Sequence, residues 1–335
     1  MTPVSSFRPT RRGLLTMLAG AAALPLAAPL AQATGVPPGF PQRPMTLVVP
    51  FSPGGPVDVL GRLLADTFQA RSGHAAMVEN RTGGAGNIGI DMVRKAAPDG
   101  ATLLLIPAGN LTINPTLMPN LPFSVEKDFS PVTLLASAPN IIVAAPGLGV
   151  STIADLIAKA RTERISYGSP GVGSQLHLAM ELFNDTAGVA LAHVPYRGSS
   201  QALTDVIGNH IGLVATNLTA ALPAIQAKRV VPLAMTTARR SPLVPDVPTL
   251  AEAGVAGIDV TSWYGMLAPK AVPDATRDAL AAVTADVLQS PAVQDKLAAQ
   301  GVTVTVEGPG VFAARIRRET AVWAEVIRAH RIVSQ

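Results

Sequence analysis

MTLVVPFSPGGPVDVLGRLLADTFQAR, residues 45–71, decides the fold. Residues 45–51 form an apolar, β-branched run of strand length. Ser52-Pro53-Gly54-Gly55-Pro56 is a turn, and residues 57–71 place their apolar side chains at helical spacing. A strand, a glycine-proline turn and a helix in direct succession form the unit of a parallel sheet. The alternation continues outward from it. Strands are expected at 77–79, 102–106, 132–136, 141–145, 165–167, 190–194, 211–215, 230–235 and 260–267. Residues 137–140 read as a break between two of them. Helices are expected after the glycine-rich loop 83–89 up to about 97, and at 152–163, 175–186, 200–207, 219–227 and 250–253, with a helical end at 274–290, 293–299 and 310–330. The fold class is therefore α/β.

Composition narrows the function. Charged residues are 14% and hydrophobic ones 48%, against a usual charged share of about a quarter. Sheets buried on both faces account for such a chain. It contains no cysteine, which excludes disulfides, thiol catalysis and cysteine metal sites. Residues 1–33 carry Arg11-Arg12, an Ala/Leu-rich stretch and Ala31-Gln32-Ala33, and the first acid of the chain is Asp58. This is the layout of a twin-arginine signal peptide cleaved after Ala33, implying export to the periplasm. Without Arg8, Arg11 and Arg12, 23 basic residues face 22 acidic ones. The near balance argues against a nucleic-acid surface. The roughly 300 remaining residues exceed one comfortable core, so two lobes are expected.

Two turns can carry chemistry. Ser52–Pro56 follows a strand and opens a helix, where main-chain amides and the helix start favour an anion. Asp58 and Arg62, four apart, either pair with each other or reach the ligand. Gly168-Ser169-Pro170-Gly171-Val172-Gly173-Ser174 repeats the arrangement and adds hydroxyls. Two such turns, one per lobe, suggest a clamp around a carboxylate. Gly84-Ala85-Gly86-Asn87-Ile88-Gly89 matches G-x-G-x-x-G formally, but no acid stands about 20 residues later to hold a ribose. A hydrolase elbow is missing because residue 167 is tyrosine, not glycine. The five histidines show no metal-ligand spacing. Neither a cofactor nor a metal is expected.

Six segments in order resemble the substrate-binding proteins of tripartite tricarboxylate transporters, the Bug or TctC family: PMTLVVPFSPGGPVDVLGR (44–62), VENRTGGAGNIG (78–89), YGSPGVGSQLHLAMELF (167–183), HVPYRG (193–198), PDVPT (245–249) and WYGMLAP (263–269). The resemblance implies a two-lobe periplasmic binding fold of type II, its lobes joined by two crossing strands. It implies lobe 1 at 34–138 and 261–335, and lobe 2 at 139–260. It further implies no enzyme, but monomeric capture of a small organic acid and delivery to membrane transporter subunits. A periplasmic sensor that presents its closed form to a receptor kinase is the alternative.

Carried over position by position, the first ligand-binding turn is Phe51, Ser52, Pro53, Gly54, Gly55 and Pro56 with Asp58, and Ala108 and Asn110 lie nearby. The second is Tyr167, Ser169, Gly171, Gly173 and Ser174. Tyr196, Arg197, Gly198, Ala215, Thr216 and Asn217 make further walls, Arg197 standing where the family commonly has a lysine. Gly212, Ala215 and Thr216 stand where the family commonly has an acid, an aromatic and a second acid. That departure disfavours an amino-acid ligand against a plain carboxylate.

Overall fold

The computed structural model describes residues 35–118 and 120–333. The signal-peptide reading at 1–33 lies outside them. Ten strands are found among the described residues: β1 (Met45–Val49), β2 (Ala76–Asn80), β3 (Thr102–Pro107), β4 (Phe129–Ala144), β5 (Ser166–Ser169), β6 (Ala192–Pro195), β7 (Leu213–Asn217), β8 (Val231–Met235), β9 (Thr261–Pro269) and β10 (Thr303–Glu307). The sheet runs β2-β1-β3-β9-β4-β7-β5-β6, with β8 and β10 also pairing with β4. The β2-β1-β3 and β7-β5-β6 ends are parallel, while β4 and β9 run antiparallel to their neighbours.

Both sheet faces are covered, which explains the apolar composition. In β1 and β3, Leu47, Val49, Leu103 and Leu105 pack into one core with Leu60, Leu64 and Phe68 of helix Pro56–Ser72. Their neighbours Val48, Leu104 and Ile106 point the other way, into a core completed by Phe312 and Ile316 of helix Pro309–Ala329. The second half repeats this pattern. Leu213 and Ala215 face Tyr167 and Phe183, while Val214 faces Val206 and Leu222. Period-two side chains on a doubly buried strand produce this division. Helix Pro56–Ser72 starts with proline and stops at Gly73, whose φ is +73°, the expected asymmetry of helix ends.

The break expected at 137–140 is corrected. β4 is one strand of 16 residues. Pro139 is the last residue opposite β9, and Asn140 the first opposite β7. Proline is tolerated there because the strand changes partner, and Pro131 because it sits at a register shift. The segment at 250–253 is a turn rather than a helix. β10 was not expected at all. It is a short, half-buried strand laid along Leu134, Ala136 and Ser137 of β4.

Candidate functional site

The first turn is held open by a carboxylate. Asp58 is buried. It accepts the Gly54 amide at 3.1 Å, Arg62 Nε at 3.0 Å, Arg62 Nη2 at 3.1 Å and Asn80 Nδ2 at 3.0 Å. Asn80 Nδ2 also donates to the Phe51 carbonyl at 3.1 Å. Burial works against the charge of Asp58, yet the Arg62, Gly54 and Asn80 hydrogen bonds prevail and hold its pKa below the ordinary value. Gly54 has φ of +88°, so the turn requires a residue free of Cβ strain. The oxygens of Asp58 are therefore engaged in shaping the turn. Asp58→Ala should lower unfolding free energy by about 2 kcal/mol, as expected for losing hydrogen bonds to a buried charge, and should weaken ligand binding too. Urea denaturation and calorimetric titration measure the two effects.

The second turn is fixed from below by histidines. Ser169 Oγ lies 2.7 Å from His193 Nε2 and accepts the Gly171 amide at 3.1 Å. The Gly173 amide donates to His177 Nδ1 at 3.3 Å. Ser174 caps helix Gln175–Ala187 by accepting the His177 amide, and donates its hydroxyl to Gly171 O at 2.8 Å. The two imidazoles stack at 4.2 Å. Burial pushes His177 down to about 3, with help from His193, and burial alone pushes His193 down to about 4.

Across a cleft the first turn meets the segment Arg197–Ser200, which follows strand β6. Ser52 donates from its amide and from its hydroxyl to Arg197 O, each at 3.2 Å. Ser200 Oγ donates to Pro53 O at 3.2 Å. Gly198 approaches so closely that a Cβ there would lie 3.1 Å from Ser52 Cβ. Between them remains a cavity of about 310 Å³, walled by Phe51 and Gly83–Gly86 on one side and by Pro170–Val172 and Pro195–Arg197 on the other. Arg197 is the one charged residue of that wall among the described residues, and its exposed guanidinium has no acidic partner among them. A larger depression of about 920 Å³ lies behind helix Gln175–Ala187, but it touches neither turn and is rimmed by charges of both signs.

Phe51, Gly171 and Tyr196 of the expected residues line the cavity. Tyr196 also donates its hydroxyl to Asp205 at 2.6 Å; burial, then Asp205, pushes its pKa up to about 12. Asn110 is buried and donates to the carbonyl of Ala85, a lining residue, at 2.8 Å. Others face elsewhere. Tyr167 and Ala215 pack in the core of the second half, and Ala108 in that of the first. Tyr167 reaches Glu181 at 2.6 Å. Thr216 is fully buried, and Asn217 bonds to Asn140 and Ser199. Sequence reasoning placed Arg197 in the wall, where it is found, but missed Gly83–Gly86 as cavity residues. The available signal is four consecutive small residues after a strand, whose formal match to a nucleotide loop masks their role as a wall.

The sequence profile of the tripartite tricarboxylate transporter family receptors matches residues 60–332. This chain belongs to that family. Among curated relatives, a protein encoded in the tcbD-tcbE intergenic region of Pseudomonas sp. (strain P51) is 36% identical over 296 residues, covering 88% of each chain. Protein BugT of Bordetella pertussis is 36% identical over 86% of this chain and 90% of its own. Among solved structures, an R. palustris protein with adipate aligns at a TM-score of 0.84 and 34% identity, over 88% of this chain and 99% of its own. MatC from Rhodopseudomonas palustris with bound malate aligns at 0.81 and 29%, over 86% and 100%. The curled mixed sheet with flanking helices is thus the type II periplasmic binding fold. The tripartite tricarboxylate receptors are periplasmic solute-binding proteins, not enzymes, and the two-lobe architecture serves capture.

Proposed function

We propose that this receptor captures a small carboxylate between its two glycine turns and delivers it to the membrane subunits of a tripartite tricarboxylate transporter. The observation that carries the reading is the 310 Å³ cavity with Arg197 as its one charged wall residue among those described. An unpaired guanidinium beside an otherwise apolar and main-chain surface favours an anion with an aliphatic or aromatic body. Among the described residues no acid lines the cavity to receive an ammonium group. Relatives solved with adipate and malate support the same class. In this reading Phe51–Pro56, Ser169–Ser174 and Tyr196–Gly198 form the jaws, while Asp58, Asn110, Tyr167 and Asn217 hold the jaws in shape. Ala108, Ala215 and Thr216 back the walls. Lobe 1 comprises 34–138 and 261–335 and lobe 2 comprises 139–260, a division supported by the partner change of β4 at Pro139. The protein works as a monomer after export by the twin-arginine route.

The test is a thermal-shift panel of mono-, di- and tricarboxylates, aromatic acids and amino acids. A ligand at 100 times its dissociation constant adds about 2.7 kcal/mol, a rise of a few degrees in Tm. At least one plain carboxylate should reach this. Arg197→Gln should then weaken its binding about ten-fold and flatten its salt dependence. Aspartate or glutamate binding more tightly than every other compound would overturn the reading.

A further inference from the structure

At the point where β4 changes partner, Asn140 is fully buried and bonds in three directions. Its Nδ2 donates to Val260 O at 3.0 Å. Its Oδ1 accepts from Asn217 Nδ2 at 2.7 Å and from Ser262 Oγ at 2.9 Å. Asn217 in turn accepts from Ser199 Oγ at 3.3 Å. Ser199 opens helix Ser199–Ile207, directly after the turn whose Arg197 carbonyl takes both Ser52 donors. A buried polar chain therefore runs from the mouth of the cleft to β4 and β9, the two strands that cross between the halves. Burying four polar side chains is costly unless every one finds a partner, so the arrangement constrains geometry tightly.

Its members lie on opposite sides of the partner change. Ser262 is in register with Ala138, within the β4–β9 pairing, while Asn140 and Asn217 face each other in the β4–β7 pairing. Rotation of one half against the other about Pro139 and Asn140 would carry Asn140 and Asn217 together and leave Ser262 behind. We propose that Ser262 and Asn140 are positioning residues for lobe closure: their hydrogen bond spans the hinge and is made when the lobes are shut. Asn140 Oδ1 keeps the Asn217 donor in both states and gains the Ser262 donor in the shut one. The inference rests on the two-lobe capture reading but not on the identity of the ligand.

The absence of cysteine makes the test direct. Cysteines introduced at Ala70 and Thr186, both exposed helical positions, carry a fluorescent donor and acceptor. Single-molecule energy transfer on ligand-free protein then counts open and shut molecules. Ser262→Ala should lower the shut-to-open ratio about five-fold, the effect of one net hydrogen bond. Tm should stay within a few degrees of the unsubstituted protein, because Asn140 Oδ1 retains Asn217. Ser72→Ala removes another buried hydroxyl, one bonded to Phe68 O in an outer helix, and should leave the ratio unchanged. An unchanged ratio in Ser262→Ala overturns the proposal. So does an equal shift in Ser72→Ala, which marks general loosening. Because the readout needs no ligand, a thermal-shift panel that fails to find a carboxylate is a separate result.

Discussion

Gly109→Ala should cost the receptor one to two orders of magnitude in ligand affinity while barely changing the stability of its cores. Gly109 sits in the short helix Ala108–Thr112 beside the cleft. A Cβ there would collide with the Gly173 carbonyl oxygen and lie 3.1 Å from Ser174 Cα and 3.3 Å from the Gln175 amide. All three neighbours are backbone of the opposing turn, so none can rotate away. Relief comes from parting the two halves. Overpacking of this kind costs about 1–3 kcal/mol. If binding needs the shut form, apparent affinity falls in proportion to its population, or roughly ten- to a hundred-fold. Titration calorimetry with any carboxylate found by the panel gives the affinity, and urea denaturation of ligand-free protein gives the stability. Unchanged affinity would show that capture does not need the turns in contact. A loss of stability matching the loss of affinity would show that Gly109 serves the core instead.

The contrast between these turns and the rest of the site explains what the sequence disclosed. Strand, turn and helix at 45–72 and at 166–187 were legible because glycine, proline and serine punctuate them and apolar spacing changes period across them. The pairing of Asp58 with Arg62 was legible as an option because both lie on one helix face. The third partner, Asn80, was not, since only the parallel pairing of β1 with β2 brings it there. Tyr167 stands in the strand just before a turn that could be recognised, but its side-chain direction follows from which strand face is core, and two buried faces give no polarity pattern to read. β4 looked like two strands because Pro139 and Asn140 have turn chemistry. Here that chemistry serves a change of partner, a fact of the whole sheet. Gly83–Gly86 lines the cavity because Asn110, about 25 residues on, anchors Ala85, and local sequence does not carry that contact.

Stability should fall steeply as pH drops from 6.5 to 4.5, and the cause should be His177 and His193. Both rings are held neutral well below the ordinary histidine value, at about 3 and about 4. Unfolded chains protonate them from about pH 6.5 downward, so in this window the unfolded state binds more protons than the native one. Stability then decreases with falling pH, with a limiting slope of about 1.4 kcal/mol per pH unit for each ring. The slope ends once the native rings themselves take up protons, below pH 4. Carboxylates act in a lower range. Asp58, Asp91, Asp155 and Glu252 have pKa values lowered from 3.8 or 4.5, so their contribution is complete above those values and is lost as pH falls through the lowered ones. The groups facing the imidazole pair are Glu181, whose Oε1 is 3.8 Å from His177 Nε2, and Tyr167, stacked on His193 at 4.9 Å. Burial, then Glu181, keeps the Tyr167 hydroxyl protonated, so it contributes no charge in the window. Urea denaturation at half-unit steps of pH measures the effect. The unsubstituted protein should lose a few kcal/mol, on the order of two ring contributions, and His193→Gln should lose about half as much. Equal slopes in the two proteins would remove His193 from the account. Since His177 Nδ1 accepts the Gly173 amide and the ring stays neutral in the native state down to about pH 3, the second turn keeps this bond throughout the window, and ligand affinity of the folded protein should hold between pH 6.5 and 4.5 while stability falls.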